Sequence, residues 1–394
     1  MDRHWRTRSR LAGLALALGL WAGLAPTAAA GPREQAKRMH DQLVGVPPTD
    51  AVLASMEASI GGGDALGAAY TAMANPVFYR SALKNWVTPW TNVPGNVFED
   101  LNDYTATVIG MVRDDVPFNT VLSADLVYTG APGVVANGYS QTDNLHYQQL
   151  EQQSVDLSDP NLFVARMQST LPGAVLQAGE TAGVVTTRAA SLAYFSGGTN
   201  RRMWRFTARN FLCRDMEQLN DITRPADRIR QDVTRSPGGD SRIFHNTCVG
   251  CHSGMDALAG AYAYYQWDDA AMRTTFTRGV VQPKFLINAN NFPGGHITTD
   301  DGWVNFWRVG PNSVLGWRGP AGSGNGAKSL GVEVGATRAF SECQVQKVFT
   351  RVCMHPPTGQ ADYDEVQRIA NVFEANNYSL KRVFAETAVY CMGN

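Results

Sequence analysis

What is scarce in this chain narrows it first. Beyond residue 24 no stretch approaches the roughly 18 uninterrupted apolar residues of a spanning helix, so no membrane span is expected in the mature chain. An excess of one charge is missing too: 34 Lys and Arg stand against 35 Asp and Glu, a formal net charge of −1. Loss of an N-terminal leader carrying four Arg and one Asp would take that charge to −4. Mild acidity argues against nucleic acid and against anionic membrane surfaces as partners. No internal repeat of fixed period is present, which excludes solenoids and propellers. Sustained period-two alternation is rare, which leaves little room for extended sheet. Cysteine is sparse, with six in 394 residues, so the position of each one carries information.

At the N-terminus, Arg3, Arg6, Arg8 and Arg10 precede the apolar run Leu11 to Leu24 and then Ala28-Ala29-Ala30. A basic region, an apolar region and an A-x-A site in that order form a cleavable secretory signal. The apolar run is too short for an anchor, so cleavage is expected after Ala30. No cysteine at that point could take a lipid. The expectation is a soluble, exported or periplasmic product.

Hydrophobic periodicity points to a mainly α, helical bundle-like fold. Helical stripes fit residues 34–44, 50–60, 64–74, 160–170, 199–217 and 252–266, followed by 336–353, 363–374 and 379–390, the last with Ser379 as N-cap. Short strands fit 126–128 and 184–187. Residues 129–158, rich in Gly, Asn, Gln and Ser, read as a surface connection. Residues 283–335 form a long glycine-rich segment carrying Trp303, Trp307 and Trp317. The chain therefore divides into a leader (1–30), an N-terminal helical region (31–158), a middle module (159–282), and the glycine-rich loop with a C-terminal three-helix region (283–394).

The chemically specific string is Cys248-Val249-Gly250-Cys251-His252. C-x-x-C-H is the attachment signature of a c-type haem. Its two thiols bond to the porphyrin vinyl groups, and the adjacent imidazole ligates the iron as proximal ligand. Two other readings of the string are weaker. His245 and His252 flank the cysteines as a zinc set might, but His252 adjoins Cys251 and is poorly placed to close one tetrahedron. A dithiol redox centre would want a βαβ context that is absent. Within the glycine-rich segment, Gly326-Ala327-Lys328-Ser329 mimics a phosphate-binding loop, but Ala327 interrupts it and no convincing strand is expected before it.

Cys213, Cys343, Cys353 and Cys391 remain, an even number suited to two disulfides in an oxidising compartment. Cys343 and Cys353 share one helix about 15 Å apart, beyond the roughly 7 Å that a disulfide spans. In an up-down-up arrangement the first and third C-terminal helices end together. Cys353 is therefore expected to pair with Cys391, and Cys213 with Cys343.

Together these residues suggest a family. The run from Ala182 through Asp268 contains AGVVTTRAASLAYFSGGTNRR, RFTARNFLCRDM and FHNTCVGCHSGMDALAGAYAYYQWD. It resembles the core module of planctomycete-type exported c-type cytochromes of unknown function, in which C-x-x-C-H is followed by Met-Asp and an aromatic run. Here those are Met255, Asp256 and Tyr264 to Trp267. NPVFYRSALKNW and FNTVLSADLVYTG upstream, with FSECQVQKVFTRVC and VFEANNYSLKRVFAETAVYC downstream, look like the modules that flank it. The resemblance implies export, one haem c in a cytochrome c-like haem module, and a redox partner protein, but no particular reaction.

The sixth iron ligand would decide the function, because carriers fill both axial positions and haem enzymes leave one open. His40, His146, His245, His296, His355, Met272, Met354 and Met392 are available. His296, beside Gly294 and Gly295 in the presumed distal cover, is the preferred candidate. The first expectation is electron transfer by a mono-haem cytochrome. The alternatives are a peroxidase-like haem oxidoreductase with an open distal site, or a binding module that haem merely stabilises.

Overall fold

The computed structural model describes residues 30–393, so the expected leader lies outside the described residues apart from Ala30. Among the described residues, helices account for 52 % and strands for 7 %, so the architecture is mainly α.

Three helices open the fold: α1 (Pro32–Val44), α2 (Asp50–Gly61) and α3 (Ala65–Met73). In α1, Pro32 stands at the first position and Gly45 closes the end in left-handed backbone. Ala36, Met39, His40, Leu43 and Val44 bury one stripe at helical spacing. The middle of the chain contributes α4 (Asp103–Arg113), α5 (Leu145–Gln152), α6 (Arg188–Tyr194), α7 (Arg201–Phe211) and α8 (Val249–Ala259). The C-terminal part holds α9 (Gly326–Gly335), α10 (Arg338–Cys353), α11 (Gly359–Ala375) and α12 (Leu380–Cys391).

As the sequence suggested, α12 packs on α10 with their C-terminal ends together, and Ser379 caps α12 by accepting a hydrogen bond from the Arg382 N–H at 3.1 Å. Both expected disulfides form, with Cα–Cα distances of 5.2 Å for Cys213–Cys343 and 5.4 Å for Cys353–Cys391. The opening helices pack onto this C-terminal group, and Phe78 meets Phe384 edge-on at 5.3 Å. One apolar core therefore runs from Ala36 to Met392, while Ile229, Phe244 and Val249 form a small separate cluster beside Cys248.

Among the described residues, sheet is confined to three antiparallel two-stranded ribbons: β1 (Val127–Gly130) with β2 (Phe163–Arg166), β3 (Tyr265–Asp268) with β4 (Arg273–Phe276), and β5 (Gly302–Val304) with β6 (Ser323–Asn325). Several expectations fail here. The helix expected over 160–170 is β2 and a single 3-10 turn, because the apolar residues there bury against β1 rather than along a helical stripe. The strand expected at 184–187 is a 3-10 turn, Gly183–Thr186, and Gly183 has a positive φ of 53°. A Cβ at Gly183 would collide with the Val121 carbonyl, so only glycine allows this approach. The connection 129–158 contains α5, and the glycine-rich segment ends in α9 from Gly326 onward.

Candidate haem-attachment site

A one-turn π-helix, Phe244–Cys248, runs directly into α8, so the whole motif lies on helical backbone. At about 100° per residue, His252 and Asp256 fall on one face of α8, while Gly250 and Gly254 fall on the opposite one. The back face is closed tightly. A Cβ at Gly250 would strike Asn220, and one at Gly254 would strike the indole of Trp307. Trp307 is fully buried, 5.9 Å from Trp204 between ring centroids. Trp307 thus buttresses α8 from behind. Trp303, from the same glycine-rich segment, instead lines a cleft with Asp256, which lies on the His252 face of the helix.

The front face keeps its reactive groups accessible. Cys248 and Cys251 are the two free cysteines, both half-buried. Burial pushes the Cys251 thiol up, and Glu217, Cys248 and Asp215 push in the same direction. Its Sγ donates to the Met216 carbonyl at 3.3 Å. A raised thiol is the reverse of what a nucleophilic dithiol centre needs. Nor do His245, Cys248, Cys251 and His252 converge on one point: among the described residues no group of three or more His, Cys, Asp or Glu is arranged to hold a metal ion.

His252 is partly exposed, and its Nδ1 lies 3.2 Å from Asp256 Oδ1. Asp256 is buried within a network that local sequence reading missed. Arg201 grips it with two bonds of 2.6 and 2.8 Å, and grips Asp232 with two more of 2.6 and 2.7 Å. The backbone N–H of Arg230 donates to Asp256 Oδ2 at 3.1 Å. Burial alone would raise the Asp256 carboxyl, but Arg201 above all, with Arg230 and the His252 contact, holds it well below the usual carboxylate range. Asp256 is therefore an anion that fixes the ring of His252 through Nδ1, leaving Nε2 for a ligand. The i, i+4 spacing of His252 and Asp256 was a readable sign of this pair. Arg201, Arg230 and Asp232 gave none, because they come from two other segments of the chain.

Arg230 is itself buried, and burial pushes its guanidinium down to about 10. Its Nη2 donates to Thr199 and its plane lies 4.7 Å from the Phe285 ring, while Nε and Nη1 have no hydrogen-bond partner. Arg230 also forms a parallel bridge with His296, whose N–H donates to the Ile229 carbonyl at 2.9 Å. His296 and Asp256 line one cleft of about 430 Å³ with Arg228, Thr298, Asp300 and Trp303. Burial lowers the His296 imidazole, and Arg228 and Arg230 lower it further.

The other axial candidates are placed elsewhere. His146 spends both ring nitrogens within the fold, Nδ1 at the Asn137 carbonyl and Nε2 on the Gly130 N–H. His40 is buried in α1. His355 and Met354 sit at the end of α10, and Met392 just after α12. His245 is exposed against the Phe244 ring, and Met272 lies in the β3–β4 turn. Among the described residues no helix is long and apolar enough to cross a membrane. No protein-family model, curated protein or solved structure matches this chain.

Proposed function

We propose that this chain is an exported mono-haem c-type cytochrome that carries haem c on Cys248 and Cys251, with His252 as proximal iron ligand, and exchanges electrons with a redox partner protein in the periplasm. The observation that carries the reading is the Asp256–His252 pair directly after two free, accessible thiols. Metal-bound imidazoles are characteristically oriented by a carboxylate or carbonyl on the far nitrogen. When bound, the haem would supply one-electron ferrous–ferric chemistry.

Other residues fit the same group. Ile222 and Ile243, on segments that flank the motif, and Ile297, next to His296, are 64 %, 45 % and 53 % exposed. Apolar side chains left open around an attachment site suit a macrocycle that would cover them. Nε and Nη1 of Arg230, which make no hydrogen bond although Nε lies 3.9 Å from Asp232, are donors of the kind that propionate carboxylates accept from. His252 supplies the proximal nitrogen, Asp256 fixes the ring orientation, and Arg201 with Asp232 holds Asp256 in place. His296 is the residue proposed for the second axial position. The likeness to planctomycete-type exported cytochromes and the two disulfides agree with a protein matured outside the cytosol.

Expression in a periplasm equipped for haem attachment tests the reading. The purified chain should keep its chromophore through denaturation and gain the mass of one haem. Replacing Cys248 and Cys251 together by Ala should abolish both effects. An unmodified polypeptide from such cells would overturn the proposal. A second reading, a peroxidase-like oxidoreductase, draws on the polar cleft beside Asp256 and predicts high-spin iron that binds cyanide. A low-spin spectrum indifferent to cyanide would remove it.

A further inference from the structure

A second site lies away from the haem motif and stands independently of the haem reading. A cleft of about 610 Å³ opens where α10 passes the segment before α4, lined by Trp86, Trp90, Lys347, Arg351, Pro357 and Tyr363. Its walls are mostly apolar: Trp86 and Trp90 meet edge-on at 4.9 Å, and Tyr363 stands half exposed at the rim. The Cys213–Cys343 disulfide holds one side, so the walls are covalently tied.

Two cations enter this apolar space, one turn apart on α10. Lys347 lays its Nζ 3.5 Å from the centre of the Trp90 ring and donates to the Asn210 carbonyl at 2.8 Å. Arg351 donates to the Gln42 carbonyl at 3.1 Å. Carbonyls and an indole face are the partners of both, and neither ion-pairs with a carboxylate among the described residues. Burial lowers the Lys347 amine well below its ordinary range and lowers the Arg351 guanidinium as well, with no acidic group counteracting it in either case. Arg201, buried elsewhere in the fold, is matched by two aspartates. A desolvated positive charge costs free energy until an anion accompanies it, and here the fold supplies none.

We infer that this cleft binds a small carboxylate with an aromatic or aliphatic body, its anionic end held by Lys347 and Arg351 and its apolar body against Trp86, Trp90 and Tyr363. Small-molecule sites combine such predominantly apolar walls with a few convergent polar groups.

Calorimetric titration of the full mature chain with 2-naphthylacetate, and with the isosteric neutral 2-naphthylacetamide, tests the assignment. The carboxylate should bind saturably at one site and the amide about tenfold or more weaker, as loss of charged hydrogen bonds implies. Lys347→Met keeps the stem on Trp90 and removes the charge. Arg351→Gln removes the second charge from a helix position whose backbone is unaffected. Each should weaken the carboxylate about tenfold and leave the amide nearly unchanged. Circular dichroism confirms folding, and Arg351→Gln carries the test alone if Lys347→Met does not fold. No saturable carboxylate binding, equal affinity for the amide, or carboxylate affinity untouched by the folded variants would each overturn the inference.

Discussion

A carboxylate four residues after a histidine on a helix stands one turn along the same face, and Asp256 uses that position to hold His252 by Nδ1. In the haem-loaded protein proposed above, its charge would make the imidazole a stronger donor and favour the more positive iron. Asp256→Asn should therefore raise the reduction potential of the haem-loaded protein, by about 60 mV if the preference between oxidation states changes about tenfold. Redox titration of the two proteins checks this, and equal potentials would separate Asp256 from the iron. His296→Ala offers a second residue-scale test. If His296 fills the second axial position, the visible spectrum should change from low-spin to high-spin and the iron should become open to cyanide. An unchanged spectrum would take His296 off the iron. The two cysteines and His252 were legible because the C-x-x-C-H signature is a contiguous string, whereas Arg201 meets Asp256, and Asp232 meets Arg201, only through the fold.

At the scale of elements, α8 is held by what its glycines admit. Gly254 receives the Trp307 indole on the side of the helix away from His252. Gly254→Ala adds helix propensity but drives a methyl into a fully buried ring, and overpacking of that kind costs about 1–3 kcal/mol. A lower midpoint in urea with an altered tryptophan emission is the expected result. A midpoint at or above the parent value would show that Trp307 moves aside freely. Helices with a clear apolar stripe and caps, α1, α10 and α12, were readable to within a few residues. β2 was not, because four residues of strand carry too short a pattern to be told from a helical stripe before their partner, β1, is known. α4 was missed for the opposite reason. Nearly every residue from Asp103 to Val112 is buried, so it has no polar face to set a period.

Two disulfides tie the whole molecule together across separations of 130 and 38 residues. Closing loops of this length restricts the unfolded chain, and removing Cys353–Cys391 by paired serine substitutions should cost about 2–4 kcal/mol. Denaturant midpoints of the oxidised parent and the variant measure it. An unchanged midpoint would mean that packing of α10 on α12 already supplies the constraint. The pH dependence follows from buried histidines. Burial lowers His40 and His146 below their unfolded values, so the unfolded chain binds more protons between the two values. Stability should be fully present above about pH 6.5 and decline as the pH falls below it. His146→Gln should flatten that decline in urea midpoints measured at pH 7.5 and 5.5. An identical slope would exclude His146 as a contributor.

The sequence by itself determined the mainly helical class, the two free thiols with their adjacent imidazole, and even the pairing of the other four cysteines. Each of these depends on spacing along one helix or between neighbouring helices, which periodicity measures. Only the tertiary structure decided which charges surround His252, which side of α8 Trp307 occupies, and that Lys347 and Arg351 share an aromatic cleft without a carboxylate partner. These are contacts between segments far apart in the chain. Their free energy comes from burial and charge pairing, quantities defined only once the chain has folded around them.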